Sequence, residues 1–257
     1  MNRHTSIAAL LLAGLLSSCG KDALQIITEP PSAASRIRFF NFGVGAPGVN
    51  FYANGTKMTA IVSASGAEST TGIVYGGVGA GGDYSAIAPG QYTVTGKIAA
   101  ATDKDLAIST VTATIEDGKY YSFYMSGFYN ATAKTVDGFM VEDPFAAPTD
   151  TAVASVRFVN AISNANPMTL YAKNTTTAAE VAVGADVAYK GAGAFTSLAA
   201  GVYDLSTRFT GSTTNAIART GVSFLGGRVY TVGARGDITV VSTTAATRPS
   251  LDNTANR

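Results

Sequence analysis

Four blocks of residues occur twice along this chain, in the same order, so any fold adopted by one copy must also suit the other. Arg38-Phe39-Phe40-Asn41 recurs as Arg157-Phe158-Val159-Asn160, and Phe51-Tyr52-Ala53 as Leu170-Tyr171-Ala172, both at an offset of 119 residues. The segment Tyr84–Val94, with Gly90 and Tyr92, matches Phe195–Leu205, with Gly201 and Tyr203, at an offset of 111. Gly118-Lys119-Tyr120-Tyr121-Ser122-Phe123 matches Gly227-Arg228-Val229-Tyr230-Thr231-Val232 at 109, and Gly127 meets Gly236. Small downward steps in offset are what unequal loops between two homologous domains produce. The similarity covers most of 36–143 and 154–241, with Pro148-Thr149-Asp150-Thr151 as a short linker.

Each block has the period of a strand. Ile37, Phe39 and Asn41 alternate with Arg36, Arg38 and Phe40, and Val156, Phe158 and Asn160 with Ser155, Arg157 and Val159. Thr110–Ile115 and Tyr120–Met125 continue the alternation with Thr, Val, Tyr and Phe, which suit pleated, half-buried surfaces. Asn54-Gly55, Pro89-Gly90, Asp117-Gly118 and Gly226-Gly227 mark tight connections. Beyond the N-terminal segment no stretch has helical periodicity. Turns every ~8–12 residues, in units of ~100 residues, predict an all-β chain of two tandem immunoglobulin-like antiparallel β-sandwich domains. The expected boundaries are 36–146 and 154–242, followed by a polar tail over 243–257 with no pattern, read as frayed.

Composition then removes most familiar chemistry. The one histidine and the one cysteine are His4 and Cys19, so no residue after position 19 can complete a Ser-His-Asp or Cys-His constellation or a Cys/His zinc site. No metal and no cofactor is expected. With 18 bases against 17 acids there is no basic excess for a nucleic-acid backbone. The glycine-rich run Gly76–Asp83 lacks a Gly-Lys-Ser/Thr ending and leads into a strand, so it reads as a flexible hairpin loop rather than a phosphate cradle. Asp103/Asp105 and Glu142/Asp143 are the tightest acid pairs; neither recurs in the other copy, and both read as solvated turn residues. A carboxylate-based hydrolase is therefore the least favoured class.

The N-terminus reads as an address. Arg3 precedes the apolar run Ile7–Leu16, which is too short for the ~20 residues of a membrane-spanning helix and suits a secretory signal over 1–18. Leu16-Ser17-Ser18-Cys19 resembles the lipobox of bacterial lipoproteins. That resemblance implies cleavage before Cys19, acylation of its thiol and amino group, and attachment to the cell envelope. Gly20 rather than Asp after the cysteine fits the outer membrane, and Gly20-Lys21-Asp22 resembles Bacteroidota lipoproteins, some of which face the cell surface. Several acyl chains at ~0.8 kcal/mol per buried methylene would hold the protein at a membrane indefinitely. Residues 19–35 are then the lipidated N-terminus and a tether.

The repeated blocks also resemble a known family. An Arg-Phe-x-Asn strand, a Phe/Leu-Tyr-Ala strand, a Gly-x-Tyr block and a Gly-x-x-Tyr-Ser/Thr block are similar to the bacterial domain of unknown function 4397. The resemblance implies extracytoplasmic, often lipid-anchored proteins with an immunoglobulin-like fold. Where that family often carries an acidic Asp-Ala-Pro element after the first Asn, this chain has Gly45-Ala46-Pro47 and Asn164-Ala165-Asn166-Pro167.

Among side chains, the aromatics carry the binding hypothesis. If Tyr121, Phe123 and Met125 face a core, Tyr120 and Tyr124 face away from it, and Tyr129 follows in Phe128–Val136, an apparent insertion in copy one. Exposed tyrosines stack on sugar rings or anchor proteins, so Tyr120, Tyr124 and Tyr129 are the candidate ligand-binding residues; the competing reading is that they cover a second sheet or an interdomain contact. Tyr92, Tyr203, Asn41 and Asn160 recur and read as structural, with the Asn amides satisfying backbone groups at a strand end. The expectation is a lipid-anchored, non-catalytic binding or adhesion module for a glycan or envelope protein. A structural spacer or assembly subunit is the alternative.

Overall fold

The computed structural model describes residues 34–61, 65–146 and 148–256. Cys19, the cleavage site and most of the expected tether lie outside the described residues. The first copy contains β1 (Arg36–Val44), β2 (Val49–Ala53), β3 (Thr56–Lys57), β4 (Gly77–Val78), β5 (Ser85–Ala86), β6 (Gly90–Ile98), β7 (Ala107–Ile115), β8 (Tyr120–Asn130) and β9 (Thr135–Glu142). The second contains β10 (Val153–Asn160), β11 (Met168–Asn174), β12 (Glu180–Val187), β13 (Thr196–Ala199), β14 (Gly201–Phe209), β15 (Ile217–Phe224), β16 (Val229–Arg235) and β17 (Ser250–Ala255).

Each copy is a two-sheet sandwich. In the first, a sheet ordered β4-β1-β8-β9, with β5 also on β1, faces one ordered β3-β2-β6-β7. In the second, β13-β10-β16-β17 faces β12-β11-β14-β15. Pairing is antiparallel except where β1 meets β8 and β10 meets β16. There Ile37 lies opposite Tyr121, and Val156 opposite Tyr230, so the repeat inferred from the sequence is also a repeat of register. The two parallel strands cannot share a hairpin; the chain crosses to the other sheet and back between them.

The alternation sorts side chains as expected. Ile37, Phe39, Phe51, Val94, Tyr121, Phe123 and Met125 form the first core, and Val156, Phe158, Leu170, Leu205, Tyr230, Val232 and Ala234 the second. Repeated polar residues brace both copies alike. The Asn41 amide donates to the Ile73 carbonyl (2.8 Å) and its oxygen accepts from the Gly43 N–H; Asn160 does the same with Val187 (3.1 Å) and Ile162. The Tyr121 and Tyr230 hydroxyls each accept the N–H of the residue five positions earlier, both at 3.1 Å. Tyr203 is buried and donates to the Ala199 carbonyl at 2.7 Å.

Three expectations need correction. The end of the expected tail is β17, which pairs with β16 from Tyr230↔Ala255 to Arg235↔Ser250. Backbone pairing supplies its stability while only Leu251 enters the core, so the sequence carries no alternation there. The Gly76–Asp83 run is not a hairpin loop: Gly77 and Val78 pair with β1, and a short 3-10 turn follows at Gly79–Gly82. Phe128–Val136 is the ordinary β8–β9 hairpin, and it is copy two that carries the longer connection, from Gly236 to Pro249.

Candidate functional site at the seam between the sandwiches

β1 is buried along nearly its whole length, on both faces. A strand in a two-layer sandwich would bury only one face, so a third layer must cover the other. That layer is the second domain. Phe40, Phe42, Tyr124 and Phe139 of the first domain form a separate apolar cluster with Val159 and Ala161 of the second. The sheets carrying β1 and β10 thus stack through their outer faces, giving four layers with a core in each of three gaps. Both sandwiches belong to one compact unit.

This placement decides the fate of the candidate tyrosines. Tyr124 is 1% exposed, stacked between Phe40 (4.5 Å between centroids) and Phe139 (5.1 Å). Tyr120 is half-buried, edge-on to Tyr84 at 5.1 Å and tilted against Phe145 at 5.0 Å. Tyr129 is partly buried against the first core, on the opposite face of β8 from the other two. The structure therefore does not bring Tyr120, Tyr124 and Tyr129 together as an exposed binding surface. Period-two counting from Met125 already puts Tyr129 on the core side.

The seam's polar part is built from the repeated arginine. Arg38 and Arg157, both essentially buried, point out of β1 and β10 into the other domain. Arg157 donates to the Glu142 carbonyl at 2.9 Å, to the Thr231 hydroxyl at 3.1 Å, and forms a buried ion pair with Asp143. Arg38 reciprocates, donating to the Ala255 carbonyl at 2.9 Å and to the Asn256 side-chain oxygen at 3.2 Å. Asp143 and Asn256 are equivalent, since their N–H groups bond to the carbonyls of the equivalent residues Tyr120 and Val229. Each guanidinium also lies over an aromatic ring of its own domain, Arg38 over Tyr84 (4.3 Å) and Arg157 over Phe195 (5.0 Å), residues that the repeat equates.

Asp143 is the hub. One oxygen takes the Arg157 guanidinium; the other accepts from the Tyr84 hydroxyl (2.6 Å) and the Ser122 hydroxyl (2.7 Å). The expectation of a solvated turn acid fails here, because Asp143 directly follows β9 on the seam side and is 2% exposed. Asp103 and Asp105 are exposed in the turn between β6 and β7, as expected, where Asp103 pairs with Lys134 and Asp105 accepts from the Tyr52 hydroxyl; Glu142 ends β9 and pairs with Lys119. At the seam's other end the Tyr189 hydroxyl meets Ser126 (3.0 Å) and Asp137 (3.2 Å), and Lys190 pairs with Asp137 at 2.6 Å. Arg235 pairs with Asp252 and lies over the Tyr75 ring at 4.9 Å.

Burial raises the pKa of three seam tyrosines, opposing their ionisation. It lifts Tyr124 and Tyr189 to about 12, and lifts Tyr84 further, with the adjacent Asp143 charge adding to the effect. Asp143 accepts from fully committed donors and faces no open space. The arrangement joins domains rather than presenting an acid or base to a substrate.

No curated protein matches the chain. The solved structure of the Bacillus anthracis TIE protein matches at 14% identity and a TM-score of 0.25, over 78% of this chain and 33% of that one. The chain thus spans about a third of that protein's length. The family described as Domain of unknown function (DUF4397) matches residues 35–154 and 154–257, meeting at the start of β10. The chain belongs to that family, as a tandem of two of its domains.

Proposed function

We propose that this protein is a lipid-anchored, non-catalytic structural component of the bacterial cell envelope, attached at the outer membrane through Cys19. In this reading the two fused sandwiches form a rigid spacer or assembly subunit. The carrying observation is the reciprocal seam: the buried arginines of each domain end in the other, so the domains act as one stiff body. Tyr120 and Tyr124, the residues on which glycan or partner capture would rest, are engaged in or beside that seam. This favours the structural role over the adhesive one. The absence of His and Cys after position 19 supports a non-catalytic role. The anchor rests on the lipobox-like Leu16–Cys19, and among the described residues no helix is long and apolar enough to cross a membrane.

The test is fractionation of cells producing the chain or its Cys19→Ser variant. The parent should sediment with outer membranes and the variant should be released; tight retention of the variant would refute acylation. A pull-down from envelope extracts should recover a stoichiometric envelope protein. A glycan array that lit up instead would restore the adhesive reading.

A further inference from the structure

Three arginines converge on one cavity of the second domain, where Arg235 also reaches the Tyr75 and Phe42 rings of the first. Arg219 on β15, Arg235 at the end of β16 and Arg248 just before β17 line a space of about 310 Å³, with Ser250 and Asp252 on its wall. Arg235 is neutralised by Asp252. Arg219 is fixed by a single bond to the Leu251 carbonyl (2.7 Å) and Arg248 by one to the Ala245 carbonyl (3.2 Å); neither forms an ion pair among the described residues. Three guanidiniums less one carboxylate leave two positive charges around the cavity. A phosphate monoester, carrying about −1.5 to −2 at neutral pH and presenting forked oxygens, matches that surplus in charge and in geometry.

A second cavity, of about 420 Å³, borders the first and shares Arg248 and Pro249 with it. Its wall is the apolar part of the Gly236–Pro249 connection, with Ile238, Val240 and Val241. Val241 is 95% exposed, on a loop that is firmly built. Asn164 donates to Asp237 at 2.8 Å and accepts from the Ile238 N–H, while Asp237 N–H bonds to the Thr247 carbonyl. Gly236, at φ +117°, is obligatory there, since a Cβ would stand 2.5 Å from the Arg248 carbonyl oxygen. A loop so fixed holds an apolar tip in water beside a cationic hollow, a surface that an amphiphile would cover.

We propose that the paired cavities bind an anionic amphiphile, its phosphate-monoester head group held by Arg219 and Arg248 and its acyl part laid along Ile238, Val240 and Val241. The proposal is independent of the N-terminal anchor. Charge complementarity selects the head group, and the apolar wall separates an amphiphile from free phosphate.

The test is calorimetric titration of the full chain with dihexanoyl phosphatidic acid below its micelle-forming concentration, beside dihexanoyl phosphatidylcholine and inorganic phosphate. Phosphatidic acid should bind roughly tenfold tighter than inorganic phosphate, phosphatidylcholine should not bind, and added salt should weaken the complex. Arg219→Ala with Arg248→Ala should abolish binding. Because Arg219 also ties β15 to β17, Arg248→Ala alone serves as the variant at an exposed residue and should weaken binding roughly tenfold. Val241→Asp should reduce phosphatidic acid to the level of inorganic phosphate. Equal binding of phosphatidylcholine, unchanged binding by the Arg248→Ala variant, or inorganic phosphate binding as tightly as the lipid would each overturn the proposal.

Discussion

Arg38 and Arg157 occupy equivalent places on β1 and β10, yet only Arg157 ends on a carboxylate, because the position that is Asp143 in one domain is Asn256 in the other. Two buried guanidiniums therefore share one buried carboxylate, bridged through the Tyr84 hydroxyl. Removing that carboxylate strands Arg157, so Asp143→Ala should lower unfolding free energy by about 3–5 kcal/mol, read from denaturant midpoints. Asn256→Asp should give Arg38 its missing partner and raise the melting temperature; a fall would show that the seam does not need the second charge. At this scale the sequence was half legible. The repeated Arg-Phe-x-Asn motif identified the asparagines' work, because Asn bonds to nearby backbone and needs no distant partner. The arginines' partners lie more than 200 residues away for Arg38, or across the linker for Arg157, and no local pattern encodes such a meeting.

The same contrast governs the elements. Strands with one wet face, such as β7 from Thr110 to Ile115, alternate cleanly and were readable, as was the pairing implied by the repeated blocks. β17 was not, because one buried leucine among polar residues carries no period. Its importance lies in the backbone ladder to β16 and in holding Asn256 under Arg38. Deleting 250–257 should expose the edge of β16 and uncover Leu251's place in the second core. The truncated chain should be cleaved by protease in the second domain well before the intact protein, and a digestion pattern identical to the parent would refute this role. β1 offered a clue that alternation alone could not use: Phe40 and Phe42 on the face opposite Phe39 called for a second burying surface.

For the whole molecule, the seam links stability to alkaline pH. Tyr84, Tyr124 and Tyr189 ionise less readily when folded than when unfolded, because burial penalises the phenolate. Their contribution is complete below the ordinary tyrosine range near 10 and is lost as pH rises toward about 12. Melting temperature should fall over that window, and Tyr124→Phe, which keeps the stacked ring, should make the fall shallower. An unchanged slope would remove Tyr124 from the linkage. That two domains exist was legible from the repeat; that they fuse face to face was not, since a shared face reads in sequence as a slightly richer strand. The seam also has a handedness of bulk. Where the first domain projects Phe40, Phe42 and Tyr124, the second offers Val159, Ala161 and Gly233, and a Cβ at Gly233 would stand only 3.2 Å from the Phe42 ring. Protrusions meet hollows only when unlike halves pair, since two first domains would collide and two second domains would leave voids. Halves produced as separate chains should thus mate with each other and not with themselves, so this face is spent within each molecule and cannot string one copy to the next.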